Sequence, residues 1–333
     1  MTSCFRNLAV GNACVILGLL STPIVTQAAE KICAIYPHLK DSYWLSVNYG
    51  MVSESKLYGI DLKVFESGGY PNLNKQRQQL ANCRDWGADA IILGTVSPQA
   101  YMDQIPKLIG DIPLFSTVNK LYLGEQDKPQ FKGSVGVDWY WMGYNAGQYL
   151  AQQHPKGSGN VKIAWLPGPK MSGGTKPSNN GFYDAIQDSD VTIVSTLWAD
   201  NDKELQRNLV QQVLEETTVD YIVGSAVAIE AAISEVRAAG KEKDIRLVSF
   251  YFSHGIYRAL LRDKVLFTST DKMVLQGRLS IRQAHAFLNK IPYSTNESPT
   301  IETLTPNSLK NTITRDSLSP SEFRPTFSVT HEQ

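Results

Sequence analysis

The stretch that decides the fold is "KICAIYPHLKDSYWLSVNYGMVSESKLYG", residues 31–59. Its first six residues are nearly all apolar, as in a strand covered on both faces. From Ser42 the pattern changes, with Trp44, Val47 and Met51 recurring at helical spacing. A strand that runs through a short loop into an amphipathic helix is the building unit of a parallel sheet.

The unit then repeats. "DLKVFES", "DAIILG" and "IPLFSTV" read as further strands, separated by helical stretches such as "NLNKQRQQLANCRDWG", where Leu73, Leu80 and Cys83 share a face. A second series follows with "VKIAWLPG", "VTIVSTLW", "VDYIVGS", "IRLVSFY" and "VLFTST", alternating with helices such as Lys203 to Glu216 and Ala226 to Ala239. The expected class is α/β, with two doubly wound parallel-sheet lobes. The tail "SLSPSEFRPTFSVTHEQ" has no helical period, although Phe323 and Phe327 suit packing on the body.

Length agrees, since 333 residues suit about two domains of ~150 each. Lys plus Arg and Asp plus Glu both number 32, so no net field favours nucleic acid or an anionic membrane surface. The opening "MTSCFRNLAVGNACVILGLLSTPIVTQA" pairs a lone Arg6 with an apolar run of roughly a dozen residues and a small-residue end, the layout of a secretory signal peptide over residues 1–28. That run is well short of the ~18 residues that span a bilayer. Thr26 and Ala28 fit the cleavage positions, so the mature chain is expected to be exported without membrane insertion. It then keeps two cysteines, Cys33 and Cys83, in an oxidising compartment; a disulfide and a pair of buried thiols both satisfy the pattern.

Ligands of open parallel sheets lie beyond the carboxyl ends of the strands, so the strand-end loops carry the functional candidates. Those loops are rich in aromatics: Tyr43, Trp44, Tyr70, Trp139, Tyr140, Trp141 and Tyr251. A strand-end loop cannot bury that much ring surface against its own sheet, so some of these rings face the cleft. Tyr43, Trp44, Trp139 and Tyr251 are assigned there, while Tyr140 and Trp141 are divided between cleft and core packing. Ring faces attract a compact cation, each contributing about 0.5–2 kcal/mol when water is excluded. Asp41 and Asp271 are placed to balance positive charge, and ring edges to donate to an attached oxygen.

Catalytic patterns do not appear. Five histidines show no HxxxH spacing, and neither CxxC nor GxSxG occurs. "GPKMSGGT" has GxxxxG spacing but Gly174 where a phosphate-binding lysine belongs, and "ESGGY" lacks the dinucleotide fingerprint. Asp200, Asp202 and Glu204 lack the glycine and terminal glutamate of a calcium loop and read as caps of the helix at Lys203. No metal, cofactor or enzymatic activity is expected.

The export signal, the two-unit order and "VGVDWYWMGYNAGQYLAQQ" resemble the type I periplasmic binding protein family across the mature chain. Longer strings, "YPHLKDSYWLSVNYGM", "YGIDLKVFESGGY", "ADNDKELQRNL", "LVSFYFSH" and "SLSPSEFRP", resemble its members that sense trimethylamine N-oxide. That resemblance implies lobes joined by a multi-strand hinge, one formed by 29–155 plus 270–292 and the other by 156–269 plus 293–333. It implies trimethylamine N-oxide as ligand, the periplasmic sensor domain of a membrane histidine kinase as partner, and induction of the respiratory system for that oxide as output. Tyr43, Trp44, Trp139 and Tyr251 fall on the matching ligand loops, with Asp41, Tyr70 and Ser225 beside them. Sugar-binding members usually carry an aspartate where Tyr251 stands and an arginine in the loop occupied by "KMSGG", and neither is present. The competing expectation is a solute-binding component of a transporter for a quaternary-amine-like or other small polar ligand.

Overall fold

The structure, a computed structural model, describes residues 1, 28–170 and 172–331. Apart from Met1 and Ala28, the expected leader lies outside the described residues. Among those described, no helix is long and apolar enough to cross a membrane.

The first series comprises β1 (Lys31–Tyr36), α1 (Ser42–Tyr58), β2 (Asp61–Glu66), α2 (Leu73–Asp85), β3 (Ala90–Leu93), α3 (Ile105–Ile109), β4 (Leu114–Thr117) and β5 (Phe131–Val135). The second begins with α4 (Trp139–Gln153), β6 (Val161–Gly168), α5 (Thr175–Ile186) and β7 (Val191–Trp198). It continues through α6 (Lys203–Glu216), β8 (Tyr221–Gly224), α7 (Ala226–Ala238), β9 (Arg246–Ser249) and α8 (His254–Leu260). The chain ends with β10 (Thr268–Thr270), α9 (Met273–Leu288), β11 (Asn296–Glu297), β12 (Glu302–Leu304), α10 (Asn311–Ser317) and β13 (Ser328–Val329).

Two main sheets result. The larger has the order β11-β5-β4-β3-β1-β2-β13, parallel except for β13, and the smaller is the all-parallel β7-β6-β8-β9. β1 explains why its sequence is continuously apolar. Ile32, Ala34 and Tyr36 enter the core beneath α1, while Cys33 and Ile35 enter a second core with Leu80 and Cys83 of α2 and Ile105 and Ile109 of α3. Cys33 and Cys83, both fully buried, are joined as a disulfide with Cα atoms 5.7 Å apart, which ties α2 to the sheet.

The chain departs from the expected partition at two places. Helix α4, assigned to the first lobe within 29–155, packs on α5 of the second series. Glycines make that contact: a Cβ on Gly143 would lie 1.8 Å from Ser178 O, and one on Gly181 2.0 Å from Tyr140 O. The segment 293–333, assigned to the second lobe, contributes β11 and β13 to the larger sheet through pairing with β5 and β2. These additions run on backbone hydrogen bonds, which leave no side-chain period. Phe323 packs edge-on against Tyr49, whereas Phe327 is half exposed and its carbonyl accepts the Val64 N–H at 2.9 Å.

Candidate functional site

Asp41 caps α1, accepting the Trp44 backbone N–H at 3.0 Å, and so sets Tyr43 and Trp44 in the first turn beyond β1. Asp138 does the same for α4, accepting from Tyr140 N at 3.0 Å and placing Trp139 at the helix start. Two glycines make room for the indoles. A Cβ on Gly94, just past β3, would lie 2.6 Å from the Trp44 ring, and one on Gly174 would lie 2.7 Å from the Trp139 ring.

Tyr43 is the hub of the resulting cluster. Its ring centroid lies 6.0 Å from that of Trp44, 6.0 Å from Trp139 and 5.5 Å from Tyr251, and the contacts to Trp44 and Tyr251 are edge-on. Trp139 and Tyr251 meet at 6.0 Å. All four side chains are buried. They come from the ends of β1 and β9 and the start of α4, and with Asp41 and Tyr70 they line one small cavity. The cavity measures about 30 Å³.

The polar tips are held in specific ways. Trp139 Nε1–H donates to Val118 O at 3.3 Å, and Trp44 Nε1–H to the Tyr70 hydroxyl at 3.4 Å. Tyr43 donates its hydroxyl proton to Asp271 Oδ2, which also accepts from Gln276 Nε2; that second bond is 2.7 Å long. Burial pushes the Tyr43 and Tyr251 phenols well above their ordinary range and Tyr70 up to about 12, so all three keep their protons at neutral pH. Burial likewise raises the Asp271 carboxyl, with its hydrogen bonds opposing the shift.

That direction has a stability consequence. A carboxyl whose folded pKa exceeds its unfolded one binds its proton more tightly when folded, so its stabilising contribution is present at low pH and is lost as pH rises through the folded value. Asp271→Asn removes this dependence. Between pH 4 and pH 7 the unfolding free energy of the variant, relative to wild type in urea titrations, is expected to shift in the variant's favour; an unchanged or opposite difference contradicts it.

The remaining expected residues lie elsewhere. Asp271 stands behind Tyr43 rather than on the cavity wall. Ser225 is fully buried and caps α7, accepting from Ala228 N at 3.1 Å. Tyr140 points away: its hydroxyl donates to Asp184 on α5 at 3.0 Å and its ring stacks on Tyr144 at 5.9 Å. Asp202 caps α6 through Glu204 N at 3.0 Å, as its sequence position suggested.

Sequence reading missed Val118, Asn119, Asn201 and Phe250, all of which line the cavity. Phe250 was hidden in plain view beside Tyr251. Val118 carried no signal at all, because its contribution is backbone conformation: φ is 64°, a left-handed geometry costly for a β-branched residue. Its carbonyl is the acceptor for Trp139, and the following Asn119 donates to Tyr70 at 3.4 Å and to Thr95 O at 2.8 Å.

The chain is similar to several known proteins. The family model described as "Periplasmic binding proteins and sugar binding domain of LacI family" matches residues 29–324. The chain is 44% identical over 313 residues to periplasmic protein TorT of Escherichia coli strain K12, covering 93% of this chain and 88% of that one. It is also similar to a chain in crystal structures of the TorS sensor domain–TorT complex, solved in the absence of ligand and in the presence of TMAO. The TM-score is 0.85 and the identity 62% in each, covering 90% of this chain and 99% of that one. An ABC transporter solute binding protein from Bradyrhizobium sp. BTAi1 with bound bis-tris matches with a TM-score of 0.74 and 33% identity, covering 90% and 89% of the two chains. The protein therefore belongs to the family of periplasmic binding proteins that includes the sugar-binding domain of the LacI family.

Proposed function

We propose that this protein is a periplasmic receptor for trimethylamine N-oxide that works with the periplasmic sensor domain of a membrane histidine kinase to induce the corresponding respiratory system. The observation that carries the reading is the convergence of Tyr43, Trp44, Trp139 and Tyr251 around one small cavity. Three methyls on a positive nitrogen suit ring faces, and one oxide suits phenol donors. The similarity to TorT, crystallised with the TorS sensor domain and TMAO, supports both ligand and partner.

The ligand is held between lobes rather than transformed. Residues following the strands of both main sheets surround the cavity, so ligand contacts form fully only when the two bodies approach. A ligand with higher affinity for the closed arrangement shifts the population toward it, and the partner reads the changed shape. The chain acts as a binding protein without turnover.

Calorimetric titration of the mature protein, alone and with the kinase's sensor domain, tests this directly. Trimethylamine N-oxide is expected to bind, and ribose to give no heat; choline and glycine betaine measure how far the site depends on the oxide. No binding of the oxide in either format rejects the reading. The similarity to a solute binding protein carrying an amine buffer favours a second reading, a transporter component for an amine ligand. Pull-down from membranes with the ligand present distinguishes them: a sensor kinase supports the first reading and a permease the second.

A further inference from the structure

One groove on the second body collects positive charge. Lys203 at the start of α6, Arg258 on α8, and Arg262 and Lys264 just beyond α8 line a concavity of about 240 Å³, whose one carboxylate is Glu230 of α7. Asp263, between the last two, is exposed but does not line it. All four cations are exposed, and among the described residues none makes a salt bridge or a side-chain hydrogen bond. Glu230 is engaged by the fold itself: it accepts from Ser253 Oγ, and a Cβ on Gly255 of α8 would lie 2.3 Å from its carboxyl carbon. The whole chain carries 32 basic and 32 acidic residues, so this excess is local. Charge of one sign gathered in a concave surface focuses its field outward and draws an anionic partner.

The groove continues inward. A second concavity, of about 310 Å³, shares Lys203, Glu230, Gly255 and Arg258 with the first and reaches Lys40, Asp41 and Ser42 of the first body. There the two bodies touch: His254 N–H donates to Ser42 Oγ at 3.1 Å, and Lys40 Nζ lies 3.8 Å from Asp202 Oδ2. The acids of this inner part have protein partners, Asp202 in Lys40, Glu204 in Arg207 at 2.8 Å, and Asp41 in the Trp44 N–H. They leave the cations of the outer part uncompensated. We infer that the groove from Lys203 to Lys264 receives an acidic segment of the kinase's periplasmic sensor domain. The inference rests on the functional reading above and names the contact surface that reading requires. A partner that reads lobe closure must touch a place where the two bodies meet, and this groove runs into one. A flat lipid surface cannot enter a concavity that leads to the interlobe junction, which favours a protein segment over anionic headgroups.

The test titrates the sensor domain into the mature protein, with and without trimethylamine N-oxide, at low and high salt. Two double variants carry the same change in net charge: Arg258→Glu with Arg262→Glu in the groove, and Lys156→Glu with Lys243→Glu in the exposed loops before β6 and β9. Near-UV circular dichroism and the thermal midpoint establish that each variant is folded. The groove variant is expected to lose about tenfold or more in affinity for the sensor domain at low salt, because like charges facing each other across an interface repel. The loop variant should stay within about threefold of wild type. Added salt should weaken wild type more than the groove variant, since screening acts on the attraction that the reversal has removed. A groove variant within threefold of wild type, or equal losses in both variants, overturns the surface while the receptor reading stands. Unchanged sensor-domain binding with loss of binding to phosphatidylglycerol vesicles assigns the groove to a membrane and overturns it too. Where wild type fails to bind the sensor domain in every condition, the kinase reading and this inference fall together.

Discussion

Trp139→Ala is expected to lower affinity for trimethylamine N-oxide by roughly 100-fold in calorimetric titration. The indole contributes about 2 kcal/mol as a desolvated cation–π face, and its removal opens the cavity to water, so the remaining rings act in a higher dielectric. At about 1.4 kcal/mol per tenfold, a total near 3 kcal/mol gives that factor. Trp139 is also the wall that joins the two halves of the site. It begins α4 on the second body while its N–H reaches Val118 O at the end of β4 on the first, and Gly174 packs against its face. Loss of the ring therefore weakens closure as well as contact, and a smaller ligand-induced change in small-angle scattering should accompany the loss of affinity. An affinity within threefold of wild type removes Trp139 from the site. Trp44→Ala is a poorer probe, because Trp44 is 1% exposed, stacks on Tyr36 at 5.6 Å and is an intrinsic part of the first core. Truncating it costs about 3–5 kcal/mol of stability before ligand is considered.

The second large effect concerns the covalent tie between Cys33 and Cys83. The loop it closes spans 50 residues. On the chain-entropy account such a loop contributes about 4 kcal/mol by restricting the unfolded chain. Cys33→Ser with Cys83→Ser is expected to lower the urea-unfolding free energy by about that amount, with a little more from two hydroxyls placed in a fully apolar core. A double Cys→Ala variant separates the two contributions. Equal stability of oxidised wild type and either variant excludes a structural bridge. Ligand affinity should change little in the folded variants, since neither cysteine lines the cavity.

Much of this was written in local chemistry. The continuous apolar runs at 32–36 and 90–93 declared buried parallel strands, because a strand covered on both faces has no polar side to show. The capping role of Asp202 and the boundaries of α6 followed from residue type and period. The aromatic richness of the strand-end loops was also plain, and five of those rings, Tyr43, Trp44, Tyr70, Trp139 and Tyr251, line one cavity.

What the chain alone determined was therefore its class, its repeated strand–helix order and the chemical character of its loops, all properties of residues close in sequence. Tertiary structure decided which ring faces inward. Trp139 and Tyr140 are adjacent on α4, yet successive helical residues point about 100° apart, and Asp184 on a neighbouring helix captures the Tyr140 hydroxyl. It decided that Val118 adopts a left-handed backbone, that α4 sits with α5 through glycine contacts, and that the tail returns to β2 as an antiparallel strand. It decided, too, where buried hydroxyl protons go, since the acceptor can lie far along the chain, as with Tyr43 and Asp271, 228 residues apart. Local periodicity reports a residue's immediate neighbours, whereas hydrogen-bond partners and ring contacts are set by the approach of distant segments.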